Sequence, residues 1–295
     1  MKSFTLVMKI VLAGCLVVGG ALLFKRLSSD PLTQVKCHFD DVLLIINYTH
    51  PHYQTIDFLK KIYGKSFSHI VFYGEKPDPR VHTVTHHEGW YGYRSLADAL
   101  QRYPNFRGYL YTNDDCFLNF WNLVRLDKSK IWLDKPTAHV VLDPTALAPS
   151  YWCWWAKECG YKAAQKVYDL LAEKYKKQLQ HNCGDSSICY GFSDLVYIPQ
   201  EYKQEMHALC ALCSEQKLFL EIALPMMNAS LAPREEWELF NSLVLWGSDR
   251  CSRSIQDYTL AHDVIHPLKF SDKKVQAFIE QRVEQAVVAL SEFKK

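Results

Sequence analysis

Gly108-Tyr-Leu-Tyr-Thr-Asn-Asp-Asp-Cys116 is the stretch on which the fold turns. Gly108 to Thr112 is short, apolar and aromatic, the composition of a buried strand. It runs directly into Asn113, Asp114 and Asp115. Two adjacent carboxylates at a strand end raise each other's pKa unless a positive partner sits there. A hard divalent cation with a preference for oxygen ligands is the simplest such partner. Ligands of open α/β sheets bind beyond the carboxyl ends of strands, where this pair would lie. A solvated turn rich in Asn and Asp is the competing reading.

Outward from that stretch, the elements alternate. Asp41 to Asn47 is a continuous branched run of the fully buried kind, Tyr53 to Tyr63 has helical spacing, and His69 to Gly74 is a second strand. Strand, helix, strand over this length predicts a right-handed βαβ unit. Val81 to Thr85 reads as a third strand, and Tyr93 to Tyr103 as a helix with Tyr93, Leu96, Leu100 and Tyr103 on one face. Further strands are expected at Ala138–Asp143 and Gly191–Pro199. Helices are expected at Tyr161–Leu179, Lys203–Cys213, Pro233–Trp246 and Lys274–Phe293. Tyr151-Trp-Cys-Trp-Trp155 could stack on a sugar or pack on a helix. No internal repeat or low-complexity tract is present.

The chain has 295 residues, 48% hydrophobic and 22% charged, which suits one large or two small domains. A net charge of +2 with scattered Lys and Arg gives no basic stripe, so nucleic acid is not an expected partner. The segment 1–26 reads as a short tail and a signal anchor. Ile10 to Phe24 is fifteen uncharged residues, close to the roughly 17–25 that a span needs, and Lys9 can snorkel. A cleaved signal peptide is the alternative, and both send the rest into the secretory lumen. Residues 27–36 read as a polar stem and 37–295 as one folded domain. Asn47-Tyr-Thr49 and Asn228-Ala-Ser230 fit the glycosylation pattern, Asn228 being the better candidate. Nine Cys follow the anchor, a density that fits several disulfides in an oxidising compartment. Cys183, Cys189, Cys210 and Cys213 could instead make a four-thiolate zinc site.

An α/β domain behind an N-terminal anchor, with Asn113-Asp114-Asp115 ending a mid-domain strand, resembles the type II membrane glycosyltransferases of the GT-A fold. Their metal motif, Asp-x-Asp in its usual form, tolerates other residues at its first place. The resemblance implies a mostly parallel sheet flanked by helices and a single catalytic domain. It further implies a nucleotide-sugar donor, UDP-linked above all, Mn2+ or Mg2+, and a glycan, protein or lipid acceptor in the Golgi or ER. On the matching positions it implies Asp115 as principal metal ligand, assisted by Asp114 and by a late His, here His266 of Ala261-His-Asp-Val-Ile-His-Pro-Leu-Lys269. His262 and Asp263 are the neighbouring alternatives, and Lys269 would meet a phosphate. Asn113 carries no charge and would only help bind the donor. Tyr48, at the end of the first strand, would stack on the base. Arg94 and Asp98 would either touch the nucleotide or pair with each other. Tyr91-Gly92-Tyr93-Arg94 could form a loop over the sugar.

Two acids are candidates for the base that an inverting transfer needs. Glu221 is a single acid in the apolar Phe219-Leu-Glu-Ile-Ala223, and Asp194 follows a turn in Gly191-Phe-Ser-Asp194. Asp185 is a weaker third. A lumenal metal-dependent phosphodiesterase or hydrolase is a second expectation, and a non-catalytic nucleotide-sugar-binding protein a third. The His pairs His86-His87 and His50-Pro-His52 are not adjacent in sequence to an acidic pair, as a two-metal hydrolase would have them. No serine-nucleophile elbow, phosphate-binding Gly loop or dinucleotide fingerprint occurs.

Overall fold

The computed structural model describes residues 30–136, 138–142, 153–245 and 254–292. Its first part is α1 (Pro31–His38), β1 (Val42–Asn47), α2 (Ile56–Tyr63), β2 (His69–Gly74), β3 (His82–Thr83), α3 (Tyr93–Arg102) and β4 (Gly108–Asn113). Then come β5 (Phe117–Leu118), α4 (Phe120–Leu123), β6 (Ile131–Leu133), β7 (Ala138–Val141), α5 (Tyr161–Leu170), α6 (Glu173–Cys183) and β8 (Ser187–Tyr190). The last part is β9 (Leu195–Pro199), α7 (Lys203–Glu215), α8 (Leu220–Leu231), β10 (Trp237–Leu239), β11 (Ser242–Val244), β12 (Val264–His266) and α9 (Lys273–Glu292).

Seven strands form the central sheet in the order β10-β6-β9-β4-β1-β2-β3. Only β9 runs against its neighbours, β4 and β6. All six residues of β1 and of β4 are buried, as the unbroken apolar runs require of strands covered on both faces. Alternate side chains feed two cores. Leu43, Ile45, Tyr109 and Tyr111 join the layer containing α3, α7 and α8, while Val42, Leu44, Ile46 and Leu110 join the layer containing α2 and α9. From β1 the chain moves outward through β2 and β3, then returns to β4 on the other side of β1. That reversal opens a crevice at the carboxyl ends of β1 and β4, where Asn47 and Asn113 are register partners.

Several expectations need correction. The stem is partly helical: α1 is capped by Asp30, whose carboxylate accepts from Leu32 N and Thr33 N, and it buries Val35. The long helix expected from Tyr161 breaks at Leu171 and Ala172, which are extended and divide α5 from α6. No Gly or Pro marks that break; Leu171 is buried there, so packing decides it. Of the helix expected over Pro233–Trp246, the described residues 233–245 are instead a 3₁₀ turn followed by β10 and β11, whose pairing with β6 and β12 overrides helical propensity. Phe219–Ala223 starts α8, a helix hidden from sequence reading by Pro225 and by apolar residues on every side.

Both glycosylation tripeptides are in the interior, with Asn47 0% and Asn228 2% exposed, so neither is open to modification in the folded chain. Cys183 and Cys189 form a disulfide, which removes them from any zinc site, and Cys210 and Cys213 are buried free thiols. Cys37, Cys116, Cys153 and Cys159 are also free, while Cys251 lies outside the described residues. The 1–26 anchor lies outside them as well, and among the described residues no helix is long and apolar enough to cross a membrane.

Candidate metal and nucleotide site

Three backbone pairings converge on the end of β4. The antiparallel β4–β9 ladder puts Asn113 N 2.9 Å from Asp194 O, which sets Asp194 against the acidic turn. The antiparallel pairing of β5 with β12 matches Phe117 with Ile265, so the next pair brings His266 against Cys116 and Asp115. Leu268 N donates to Asp115 O at 2.7 Å and closes that junction. Gly191 N donates to Glu221 O at 2.9 Å, which ties the first turn of α8 to the turn before β9.

The result is a ring of carboxyl groups around one imidazole. His266 Nε2 lies 3.3 Å from Asp115 Oδ2 and 3.7 Å from Asp194 Oδ2. Burial favours neutral His266, but Asp194, Asp115 and Glu221 outweigh it and push its pKa up to about 9. Asp194 is half-buried, and desolvation raises its pKa, with Asp115 raising it further and His266 working the other way. Glu221 is lifted to about 8 by burial and by Asp194. Its carboxyl has no hydrogen-bond or ion-pair partner among the described residues.

Asp114 is 8% exposed, and burial with the neighbouring Asp115 lifts it to about 8. It faces the turn just past β1, where its Oδ1 accepts from Thr49 N at 3.2 Å. Asp134, just past β6, was not singled out from sequence. Burial raises it, and its charge is felt by the same His266 and Asp194. Its only sequence signal is its place after a three-residue apolar strand.

A cleft of about 360 Å³ opens beside this ring, lined by Thr49, His50, His52, Asp114, Asp115 and Lys269 among others. His50 and His52, far from the acidic pair in sequence, therefore share this cleft with it. Asp115, Cys116 and His266 bring one potential ligand atom each within 4.8 Å of one another. An oxygen and an imidazole nitrogen amid surplus carboxylates suit Mn2+ or Mg2+ in donor type. His266 would have to give up its proton to act as a ligand.

Other expected contacts are spent elsewhere. Tyr48 is 1% exposed, donates to or accepts from Thr55 Oγ1 at 2.7 Å and packs on Tyr53, so it has no free face for a base. Arg94 uses Nε, Nη1 and Nη2 on Ser214 Oγ, Thr85 O and Ser214 O, linking α3 to α7 rather than reaching a nucleotide. Asp98 pairs with Arg102, not Arg94, and accepts from Tyr73 Oη. His262 stacks on Tyr258, and Asp263 is held by Arg125 at 2.7 and 2.9 Å. Trp154 stacks on Phe219 with the Lys157 ammonium 3.8 Å from its ring centre, a packed arrangement; Tyr151 and Trp152 lie outside the described residues. Asn113 is 2% exposed and does not face the cleft; its amide bonds Asn47, Tyr111 and Asp194. Asp185 is exposed.

No protein-family model matches the chain. It is similar to two Arabidopsis thaliana proteins. One is named probable glycosyltransferase STELLO2, 24% identical over 254 residues, covering 84% of this chain and 32% of that protein. The other is named probable glycosyltransferase STELLO1, 23% identical over 239 residues, covering 80% and 31%. The chain thus spans about a third of the length of these curated relatives. Among solved structures, a glycosyltransferase involved in the glycosylation of the major capsid of PBCV-1 aligns over 81% of this chain and 98% of its own. Its identity is 8% and its TM-score 0.42, too low to bear on the fold in detail. Both relatives carry the name probable glycosyltransferase; in this chain a mostly parallel sheet brings an acidic strand end against a late histidine.

Proposed function

We propose that the chain is a metal-dependent glycosyltransferase that moves a sugar from a nucleotide-sugar donor to a glycan, protein or lipid acceptor. The observation that carries this is the meeting of Asp115, Asp194 and His266 at the carboxyl end of β4, beside the crevice at the switch point of the sheet. The names of the two relatives support the same reading. Asp115 and His266, with Asp114 next to them, would hold Mn2+ or Mg2+. When bound, such an ion offsets the charge that gathers on the leaving diphosphate.

The chain's own groups do the rest. Thr49 N fixes one oxygen of Asp114 at the cleft wall. The exposed Lys269 ammonium at the cleft wall meets a phosphate oxygen. Glu221, half-buried and with a pKa about 8, takes the proton of the acceptor hydroxyl, since a base works best when its pKa is near the working pH. Asp194 holds His266 in place. A lumenal, membrane-anchored location in the Golgi or ER rests on the apolar segment 4–24 and agrees with the Cys183–Cys189 disulfide.

The test is a thermal-shift series on the full-length protein with UDP, UDP-sugars and other nucleotide diphosphates, with and without Mn2+, followed by turnover assays. A metal-dependent shift and release of nucleotide on sugar transfer are expected. The proximity of His50 and His52 to Asp114 and Asp115 favours one rival, metal-dependent phosphodiester hydrolysis. Hydrolysis of a model phosphodiester with no sugar transfer would replace the proposal by that rival. A metal-dependent nucleotide shift with no turnover of any donor would leave a binding protein.

A further inference from the structure

We propose that Asn113 is a positioning residue that locks the carboxylate of Asp194, and not a weakened metal-ligand position; this rests on the transferase reading for what Asp194 then does. The side-chain oxygen of Asn113 accepts from Asn47 Nδ2 at 3.2 Å and from Tyr111 Oη at 2.9 Å. Asn47 is itself held, its Oδ1 accepting from Ser95 Oγ at 2.7 Å. An amide NH2 cannot accept hydrogen bonds, so two donors on one side fix which way the amide faces. The NH2 group therefore points at Asp194 and donates to its Oδ1. The main chain repeats the grip, with Asn113 N donating to Asp194 O at 2.9 Å.

One oxygen of Asp194 is thus taken by the amide, and the other is left facing His266 at 3.7 Å. The lock has a backbone requirement too: a Cβ on Gly92 would fall on the Tyr111 hydroxyl. Asn113→Asp would complete the familiar Asp-x-Asp pattern, yet it would set an acceptor-only carboxylate against Asp194 inside the fold. Buried like charges without a donor between them are strongly disfavoured. The two readings of Asn113 therefore predict opposite outcomes for one substitution.

The experiment compares full-length wild type, N113D, D194N, N113D/D194N and Y111F. Without ligand, N113D is expected to lower Tm by on the order of 5 °C, and N113D/D194N to regain most of that loss because the amide and acid have traded places. With donor and Mn2+, N113D keeps the nucleotide-induced shift and a donor KM within about threefold, while kcat falls by about 100-fold or more. Y111F, which removes one of the two donors and folds with the least disturbance, is expected to lose about three- to tenfold in kcat at unchanged KM.

An N113D protein as stable and as active as wild type overturns the proposal, as does a double mutant no more stable than the sum of the two singles predicts. Wild type inactive on every donor, with the Tm recovery intact, would sink the transferase reading while the Asn113–Asp194 lock stands.

Discussion

Strand β12 has a buried acid just before one end and a buried histidine at the other, and the two have opposite fates. Asp263 is 1% exposed and fully matched: Arg125 grips both its oxygens at 2.9 and 2.7 Å, and Asn241 N donates at 2.8 Å. Three residues on, His266 is 1% exposed and faces Asp115, Asp194, Glu221 and Asp134 with a single positive charge at most. At the first end every carboxylate oxygen has a donor, which is the pattern of a structural pair. At the second, acids outnumber cations, and pKa values move far from their usual range in consequence. The lesson is that burial of charge does not mark a site by itself; an unbalanced charge count does.

The comparison can be broken most sharply at its unbalanced end. Asp115→Ala removes the proposed principal ligand and is expected to cut transfer by about 10³-fold or more while leaving the apo fold intact, since it relieves repulsion. Unchanged Mn2+-dependent nucleotide shifts in that variant would put the ion elsewhere. Glu221→Gln is expected to lower kcat by about 10²- to 10⁴-fold with donor binding kept, as loss of a general base does. Binding isotherms beside steady-state rates would separate the two effects.

Glu221 also makes a pH prediction with a definite sign. Its folded pKa of about 8 stands above the usual carboxyl value of 4.5, so the folded state holds the proton longer. It therefore costs stability increasingly as pH rises from about 4.5 to about 8, and nothing below that window. The Tm advantage of Glu221→Gln over wild type is expected to grow across the same interval; a flat difference would show the carboxyl to be solvated.

At the balanced end, Arg125→Ala is expected to cost about 2–3 kcal/mol, less than a fully buried pair because Arg125 is 49% exposed. Denaturant unfolding reads that loss, and kcat per folded molecule should not change. The smallest effect belongs to Lys269→Ala at the exposed cleft wall, about a three- to tenfold weaker nucleotide affinity with no change in stability. A loss of stability there would mean that Lys269 has a packing role.

The strands and the first helices were legible because they are local. The unbroken run of β1, the strand at His69–Gly74 and the spacing of Tyr93, Leu96 and Leu100 each carry their own signal. The acidic turn was legible for the same reason. α8 was not, because Pro225 and an apolar surface all round erase its period. Nor was the split between α5 and α6, where Leu171 is drawn inward by packing.

Site roles divided in the same way. Residue types on the candidate ring could be named from the chain, but Tyr48 and Arg94, equally plausible as letters, are consumed by Thr55 and Ser214. Asp134 went unnoticed because nothing near it in sequence speaks of His266.

The sequence by itself determined that alternating buried strands and helices would lead to a pair of acids, because hydrophobic period and adjacency act over a few residues. Only the tertiary structure decided which way each acid faces. Asp114 turns to Thr49 just past β1, while Asp115 meets a histidine 151 positions later through the β5–β12 ladder. Hydrogen-bond register between distant strands sets those partners, and no local pattern encodes it.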